Sequence, residues 1–315
     1  MEAQRTRSPM SSRRSLEDLS RNPNTMKTKA SPSDVPTPPD HYAPPVLQGI
    51  HPILQWVLYL SKRFLQVPPI VKASFYFGLV IICSSLSYYL DPYRGFYFFR
   101  KESFLNQWFV KLSWGWTFYL LLAFFALAGY LESDGRIKKI KRNVARLLVG
   151  TATWYFVTTV FVRIEHHTAR CSVMDYHSRK ECEAAGQTWS YFDISGHAFL
   201  LIYCSLLILE ESRAFFKWEK ADRLDTDEDA GKFDQEIKPR VLLVMRVLAV
   251  ALAMLAMLWD GMLVITLIYY HSFIQRFMGV FFGVAGWFLT YKVWYPNYWP
   301  GLPEDVSPLL TAQSS

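Results

Sequence analysis

An all-α, polytopic membrane protein is the fold class this sequence predicts, and two observations carry that reading. Hydrophobic residues make up 51% and aromatics 17% of the 315 positions, and the apolar residues gather in long runs. The net charge of +7 lies beside those runs, as orientation in a bilayer requires, rather than on a separate soluble body. Its placement argues against a nucleic-acid partner.

The elements follow in chain order. Residues 1–49 are rich in Ser, Pro, Arg and Thr and hold no apolar core, which predicts a disordered cytosolic tail without a cleavable signal peptide. Its basic Ser-flanked pieces, Arg5–Ser8 and Arg13–Ser15, are potential phosphorylation sites within a solvated tail. Ile50–Val67 mixes Trp56, Tyr59 and Leu60 with Lys62 and Arg63, as an interfacial helix does. A spanning helix needs roughly 20 apolar residues. Six segments meet or approach that length: Ile70–Leu90, Phe109–Leu131, Val144–Ile164, Ile194–Leu209, Val241–Tyr270 and Phe277–Tyr291. The fifth is too long for one upright helix and too short for two, and is expected as one tilted or extended helix. Residues 50–298 form the predicted six-span domain, and residues 299–315 a cytosolic tail.

Basic residues set the expected orientation. Arg136, Lys138, Lys139, Lys141 and Arg142 follow the second span, and Arg213, Lys217, Lys220, Arg223, Lys232, Lys238 and Arg240 follow the fourth. Placing these links in the cytosol puts both termini there too. The opposite, lumenal side receives Asp91–Trp108, Glu165–Asp193 and the turn after His271. Cys171 and Cys182 share one of those exported segments, where an oxidising compartment favours a disulfide between them. Cys83 and Cys204 lie inside spans and are expected to pack as small apolar residues.

Two histidines carry the chemical reading. His197 follows Ser195-Gly196 at the lumenal start of the fourth span. Unpaired N–H groups and the positive dipole end of a helix suit a phosphate there, and Gly196 allows close backbone approach. His271 closes the fifth span, which runs the other way, so both imidazoles reach the same boundary. One can attack phosphorus while the other protonates the leaving oxygen, without a metal or cofactor. Lys111, at the start of the second span, is the expected cation for the phosphate oxygens, with Arg276 as a second candidate. Taken singly, each has a plainer role: His197 as an interfacial histidine on a carbonyl, His271 as a neighbour of the aromatic belt, Lys111 as a snorkelling lysine. Asp260, an acid inside a span, lies eleven residues and about 16 Å of helix rise below His271. It is expected to bond another helix or to line a polar pocket. His166, His167 and His177 are expected in solvent.

Several separated motifs resemble the fat storage-inducing transmembrane (FIT) family: Asp193-Ile-Ser-Gly-His197-Ala-Phe-Leu-Leu with Glu210-Glu211, Val110-Lys-Leu-Ser-Trp-Gly-Trp116, Tyr269-Tyr-His271, and Gly286-Trp-Phe-Leu-Thr-Tyr291-Lys-Val-Trp-Tyr295. The similarity runs from about Lys72 to Tyr298. The resemblance implies six spans in the endoplasmic reticulum membrane, both ends cytosolic, and distant kinship to lipid phosphate phosphatases. In that scheme His271 forms a phosphohistidine and His197 protonates the leaving group. The chain departs from the phosphatase pattern. Ile265 stands where an arginine is expected six residues before the histidine, Gln275 where an acid is expected four after it, and Lys111 replaces a basic motif by position alone. What the family implies is cleavage of the pyrophosphate of fatty acyl-CoA to acyl 4′-phosphopantetheine and adenosine 3′,5′-bisphosphate, serving lipid-droplet formation and membrane homeostasis. The competing expectation is a non-enzymatic protein that binds di- and triacylglycerol and partitions it into droplets. A transporter or channel fits less well, because intramembrane charge is sparse and no inverted repeat is visible.

Overall fold

A computed structural model describes residues 52–89, 102–130, 136–173, 178–222 and 232–303, all within one compact unit of the chain, Ala43–Ser315. The N-terminal tail, most of the 299–315 tail and His177 lie outside the described residues.

Helices dominate. The first, α1 (Pro52–Leu65), forms a helix over the segment expected to be interfacial. It lays Ser61 and Leu65 inward and leaves Ile53, Leu54 and Leu60 outward, packed against the two helices named below as α6 and α7. Helices stand where the six spans were expected: α2 (Pro69–Tyr89), α3 (Ser113–Tyr130), α4 (Arg136–Thr168), α6 (Gly196–Asp222), α7 (Lys232–Tyr269) and α8 (Phe273–Phe288). A short helix, α5 (Arg179–Ala184), and a two-stranded ribbon, β1 (Arg170–Cys171) with β2 (Trp189–Ser190), fill the segment between α4 and α6. Cys171 and Cys182 are disulfide-bonded there, their Cα atoms 5.9 Å apart. π-Helical turns precede α3 (Leu105–Val110) and extend α8 (Leu289–Trp294).

The chain is an all-α polytopic membrane protein. Four helical stretches, Pro69–Tyr88, Ile137–Thr168, Arg240–Tyr269 and Phe273–Trp294, are long and apolar enough to cross a membrane, and Ser113–Gly129 is a shorter apolar helix. The fifth segment is one continuous helix of 38 residues, as its length suggested.

α6 differs from the rest because it is the axis of the bundle. Every residue from Ala198 to Ser212 is buried, and α1, α2, α3, α4, α7 and α8 all touch the helix. The outer helices instead leave Ile81, Ile82, Tyr155, Phe156, Val247 and Met254 exposed, which suits lipid rather than water. A helix apolar on all sides has no reason to favour one neighbour, so polar and small residues must choose its partners. Midway down, Ser205 receives Lys72 Nζ at 2.9 Å and donates to Asp260 at 3.2 Å. Lys72 pairs with Asp260 at 2.9 Å, and Tyr76 donates to the same carboxylate at 2.7 Å. Asp260 therefore bonds other helices, tying α7 to α2 and α6.

Candidate active site at the start of the axial helix

Small residues bring the two histidine-bearing segments together. α8 presents Gly279, Gly283 and Gly286 to α6. A Cβ on Gly279 would stand 2.5 Å from Ser195 O, and one on Gly283 would stand 2.9 Å from Phe199 O. No side chain fits at either position, so backbone lies against backbone, as small residues spaced by four allow in membranes. At the top of that seam the Ser195 N–H donates to Gln275 O at 3.1 Å. The start of α6 and the start of α8 are thus one structural unit.

Ser195 is the cap of α6. Its hydroxyl accepts from Ala198 N–H at 3.3 Å, and its carbonyl accepts from Phe199 N–H at 3.1 Å, so the hydroxyl is engaged by the helix itself. Gly196 and His197 occupy the first turn and are partly exposed.

His271 sits between α7 and α8 with φ at +64°, a left-handed conformation that costs a non-glycine residue roughly 1–3 kcal/mol and survives only where its surroundings impose it. Arg276 is what imposes it. The arginine is buried and donates to Tyr270 O at 2.7 Å and Ile268 O at 3.3 Å, carbonyls at the end of α7 and just past it, and to Ser84 and Ser87 of α2 at 3.4 and 3.3 Å. Gln275 contributes from the other side, its Oε1 accepting the Ser272 N–H at 2.9 Å. Arg276 is therefore no phosphate clamp: its donors hold the turn that carries His271. Gln275 likewise serves the turn, as a cap.

Asp193, four residues before His197, is the acid that faces His271. Its Oδ2 lies 3.5 Å from His271 Nδ1, with side chains 43% and 19% exposed. A carboxylate on the Nδ1 side favours the tautomer whose lone pair is on Nε2. Asp193 was quoted in the sequence only as part of a motif.

Lys111 stands just before α3, exposed, and its Nζ donates to Gln107 Oε1 at 2.8 Å. Trp114, three residues on, stacks on Tyr203 with ring centres 6.1 Å apart, so the start of α3 flanks the upper half of α6. The described contacts do not join Lys111 to either histidine. His166 and His167 are exposed at the end of α4. Among the described residues no group of His, Cys, Asp or Glu is arranged around a metal position. The seam thus brings together Ser195, Gly196, His197, His271 and Asp193, and leaves Lys111 at its margin.

Residues 94–291 match the family profile described as fat storage-inducing transmembrane protein. A curated relative from Drosophila melanogaster, acyl-coenzyme A diphosphatase FITM2, is 32% identical over 274 residues, or 80% of this chain and 64% of its own length. The proteins of that name from Homo sapiens and Xenopus laevis are 36% and 35% identical, over 75% and 78% of this chain and 87% and 89% of their own lengths. The chain therefore spans just under two thirds of the fly protein and most of the other two. No solved structure matches it.

Proposed function

The chain belongs to the fat storage-inducing transmembrane family, and from that premise we propose that it is a fatty acyl-CoA diphosphatase of the endoplasmic reticulum. Its six spans would leave both termini in the cytosol and the histidines at the lumenal face. The basic start of α4, at the bundle end away from the histidines, supports that orientation. The observation that carries the reading is the α6–α8 seam, which joins a capped, phosphate-suited helix start to a strained histidine faced by a carboxylate.

In this reading the acyl chain lies among the apolar helices while the pyrophosphate meets the α6 N-terminus. The N–H groups of the first turn, at Gly196 and His197, and the helix dipole bind phosphate oxygens, and Lys111 swings from Gln107 to add a cation. Nε2 of His271 attacks the phosphorus on the pantetheine side and the P–O bond of the bridge breaks. His197 protonates the departing oxygen, releasing adenosine 3′,5′-bisphosphate. Water then attacks the phosphohistidine, and acyl 4′-phosphopantetheine leaves with His271 regenerated. The 3.5 Å contact to Asp193 shortens as positive charge develops on His271. Lipid-droplet formation and membrane homeostasis would follow from control of the acyl-CoA pool.

A second reading, binding of di- or triacylglycerol, draws on one observation: the Asp260 carboxylate is 27% exposed in mid-bundle, where a diacylglycerol hydroxyl could reach it. The test is product identity. Purified protein given oleoyl-CoA should release acyl 4′-phosphopantetheine and adenosine 3′,5′-bisphosphate in equal amounts by mass spectrometry. Free fatty acid with intact CoA, or no turnover by folded protein, would refute the diphosphatase reading.

A further inference from the structure

A cavity of about 510 Å³ lies at the start of α4, against the turn that follows the π-helical extension of α8. That volume is in the range of small-ligand sites, roughly 300–1,000 Å³. It sits at the end of the bundle away from the histidines. The end of α4 is tied to the strap before α6 by Phe192 N–H on Thr168 Oγ1, and α4 rises about 50 Å over its length. A group bound here is not one that the histidines touch.

The walls are cationic and aromatic. Lys138, Lys141 and Arg142 face Tyr295, Tyr298 and Trp299, and no acidic side chain lines the space among the described residues. Its shape is fixed from one side by a built loop. Arg142 Nε donates to Pro300 O at 2.8 Å. Gly301 adopts φ +84°, which favours glycine, and a Cβ there would stand 2.5 Å from Arg142 Nη2 and displace the guanidinium. Gly301 N–H closes the turn onto Tyr298 O at 3.0 Å, and Tyr295 is buried against Tyr291, ring centres 4.9 Å apart. Lys138 and Lys141, in contrast, donate to no acceptor among the described residues. They lie in the first turns of a 33-residue helix, whose dipole adds to their charge.

Two further features say where the ligand comes from. Tyr298 and Trp299, 69% and 67% exposed at the rim, are the residues that mark a membrane–water boundary. Leu289, Val293 and Trp294, just before them in the chain, are also exposed, giving acyl chains an apolar surface beneath the cations.

We propose that this cavity binds a phosphate-bearing anion, presented as the headgroup of an anionic phospholipid in the leaflet at that end of the bundle. Lys138 and Lys141 neutralise the headgroup, the α4 N-terminus orients it, and the aromatic rim holds the glycerol level. Such a lipid ties α4 to the C-terminal turn, two segments otherwise joined there by Arg142.

The test uses the full chain reconstituted in phosphatidylcholine vesicles doped with phosphatidylinositol, then extracted in mild detergent and weighed intact to count bound lipid. The wild type should retain phosphatidylinositol in preference to phosphatidylcholine. Each lysine contributes about fivefold at a membrane surface, so Lys138→Gln with Lys141→Gln should weaken retention roughly 25-fold. Trp299→Ala should weaken it without changing charge. A control losing the same charge at the other end, Arg170→Gln with Lys180→Gln, should retain lipid as the wild type does. Unchanged retention in the lysine variant, or equal loss in the control, overturns the proposal. Displacement of the lipid by inorganic phosphate at equal concentration would assign the site to a soluble anion and overturn the lipid source.

Discussion

At one end of α6, Asp193 and His271 face each other at 3.5 Å, the carboxylate 43% exposed. At the other end of its buried stretch, Glu211 accepts from Arg146 Nε and Nη2 at 2.7 and 2.8 Å and from Tyr291 Oη at 2.6 Å, while Arg146 also donates to Asn143 at 2.6 Å. Glu210 beside it accepts from Lys292 Nζ at 2.8 Å and Trp287 Nε1 at 3.2 Å. Both clusters surround the ends of the buried stretch of α6, Ala198–Ser212, and both join it to α8 or its approach. The difference is in what remains open. Arg146 and Glu211 are 3% and 1% exposed and bidentate, so their charges are spent on each other and on buried neighbours. The histidine end has loose geometry, a strained backbone and solvent access. A closed ionic cluster holds helices, whereas an open one with an imposed conformation can still receive a substrate.

Substitutions should separate the two ends. The largest effect is expected from His271→Gly. Glycine relaxes at φ +64°, so thermal unfolding in detergent should be no easier than for the wild type. Acyl-CoA turnover should nevertheless fall on the order of 10⁴-fold or more, as for a lost nucleophile. Retained turnover would make the strained turn a structural feature like the opposite end.

At that opposite end Arg146→Ala should reverse the pattern. Leaving Glu211 buried without its cation costs about 3–5 kcal/mol, read as a lowered unfolding midpoint, with turnover per folded molecule nearly intact. Arg146→Met combined with Glu211→Leu should recover most of the loss, because two matched apolar groups leave no orphaned charge. Loss of turnover beyond the folded fraction would show that this cluster also serves chemistry.

Gly279→Ala tests the seam between the two. A Cβ at 2.5 Å from a backbone oxygen forces α8 away, and overpacking of this kind costs about 1–3 kcal/mol. Turnover should fall with it, since the His271 turn moves relative to His197. Asp193→Asn should act more narrowly. It keeps the shape and removes the charge, and partners that orient a histidine contribute roughly 10- to 100-fold. The loss should appear in kcat rather than KM, with unfolding unchanged.

How much of this was legible in the sequence depends on what each feature rests on. The helices were legible because apolar run length is a local property, and the 38-residue α7 followed from a run too long for one upright span. Ser195, Gly196, His197 and His271 were legible as residue types that suit a phosphate. That both imidazoles reach one boundary was legible from the opposite directions of the two spans, but the contact that joins their segments was not, because it depends on Gly279 and Gly283, whose meaning appears only once α6 lies against them. Arg276 was misread for a related reason. A cation near a candidate site looks like a phosphate ligand until the carbonyls at the end of α7 and just past it are seen to claim it. Glu210 and Glu211 entered as a motif without a role, and their partners Arg146 and Lys292 lie 65 and 82 residues away, beyond any local pattern.

The central claim is that the start of α6 and the His271 turn act as one hydrolytic site. Groups that act as a unit are strongly non-additive, so acyl-CoA hydrolysis should be measured for His197→Ala, His271→Gly and the double variant, each checked for folding. The account predicts that the double variant is no slower than His271→Gly alone, with all three far below the wild type. A folded double variant hydrolysing acyl-CoA at the wild-type rate would contradict it.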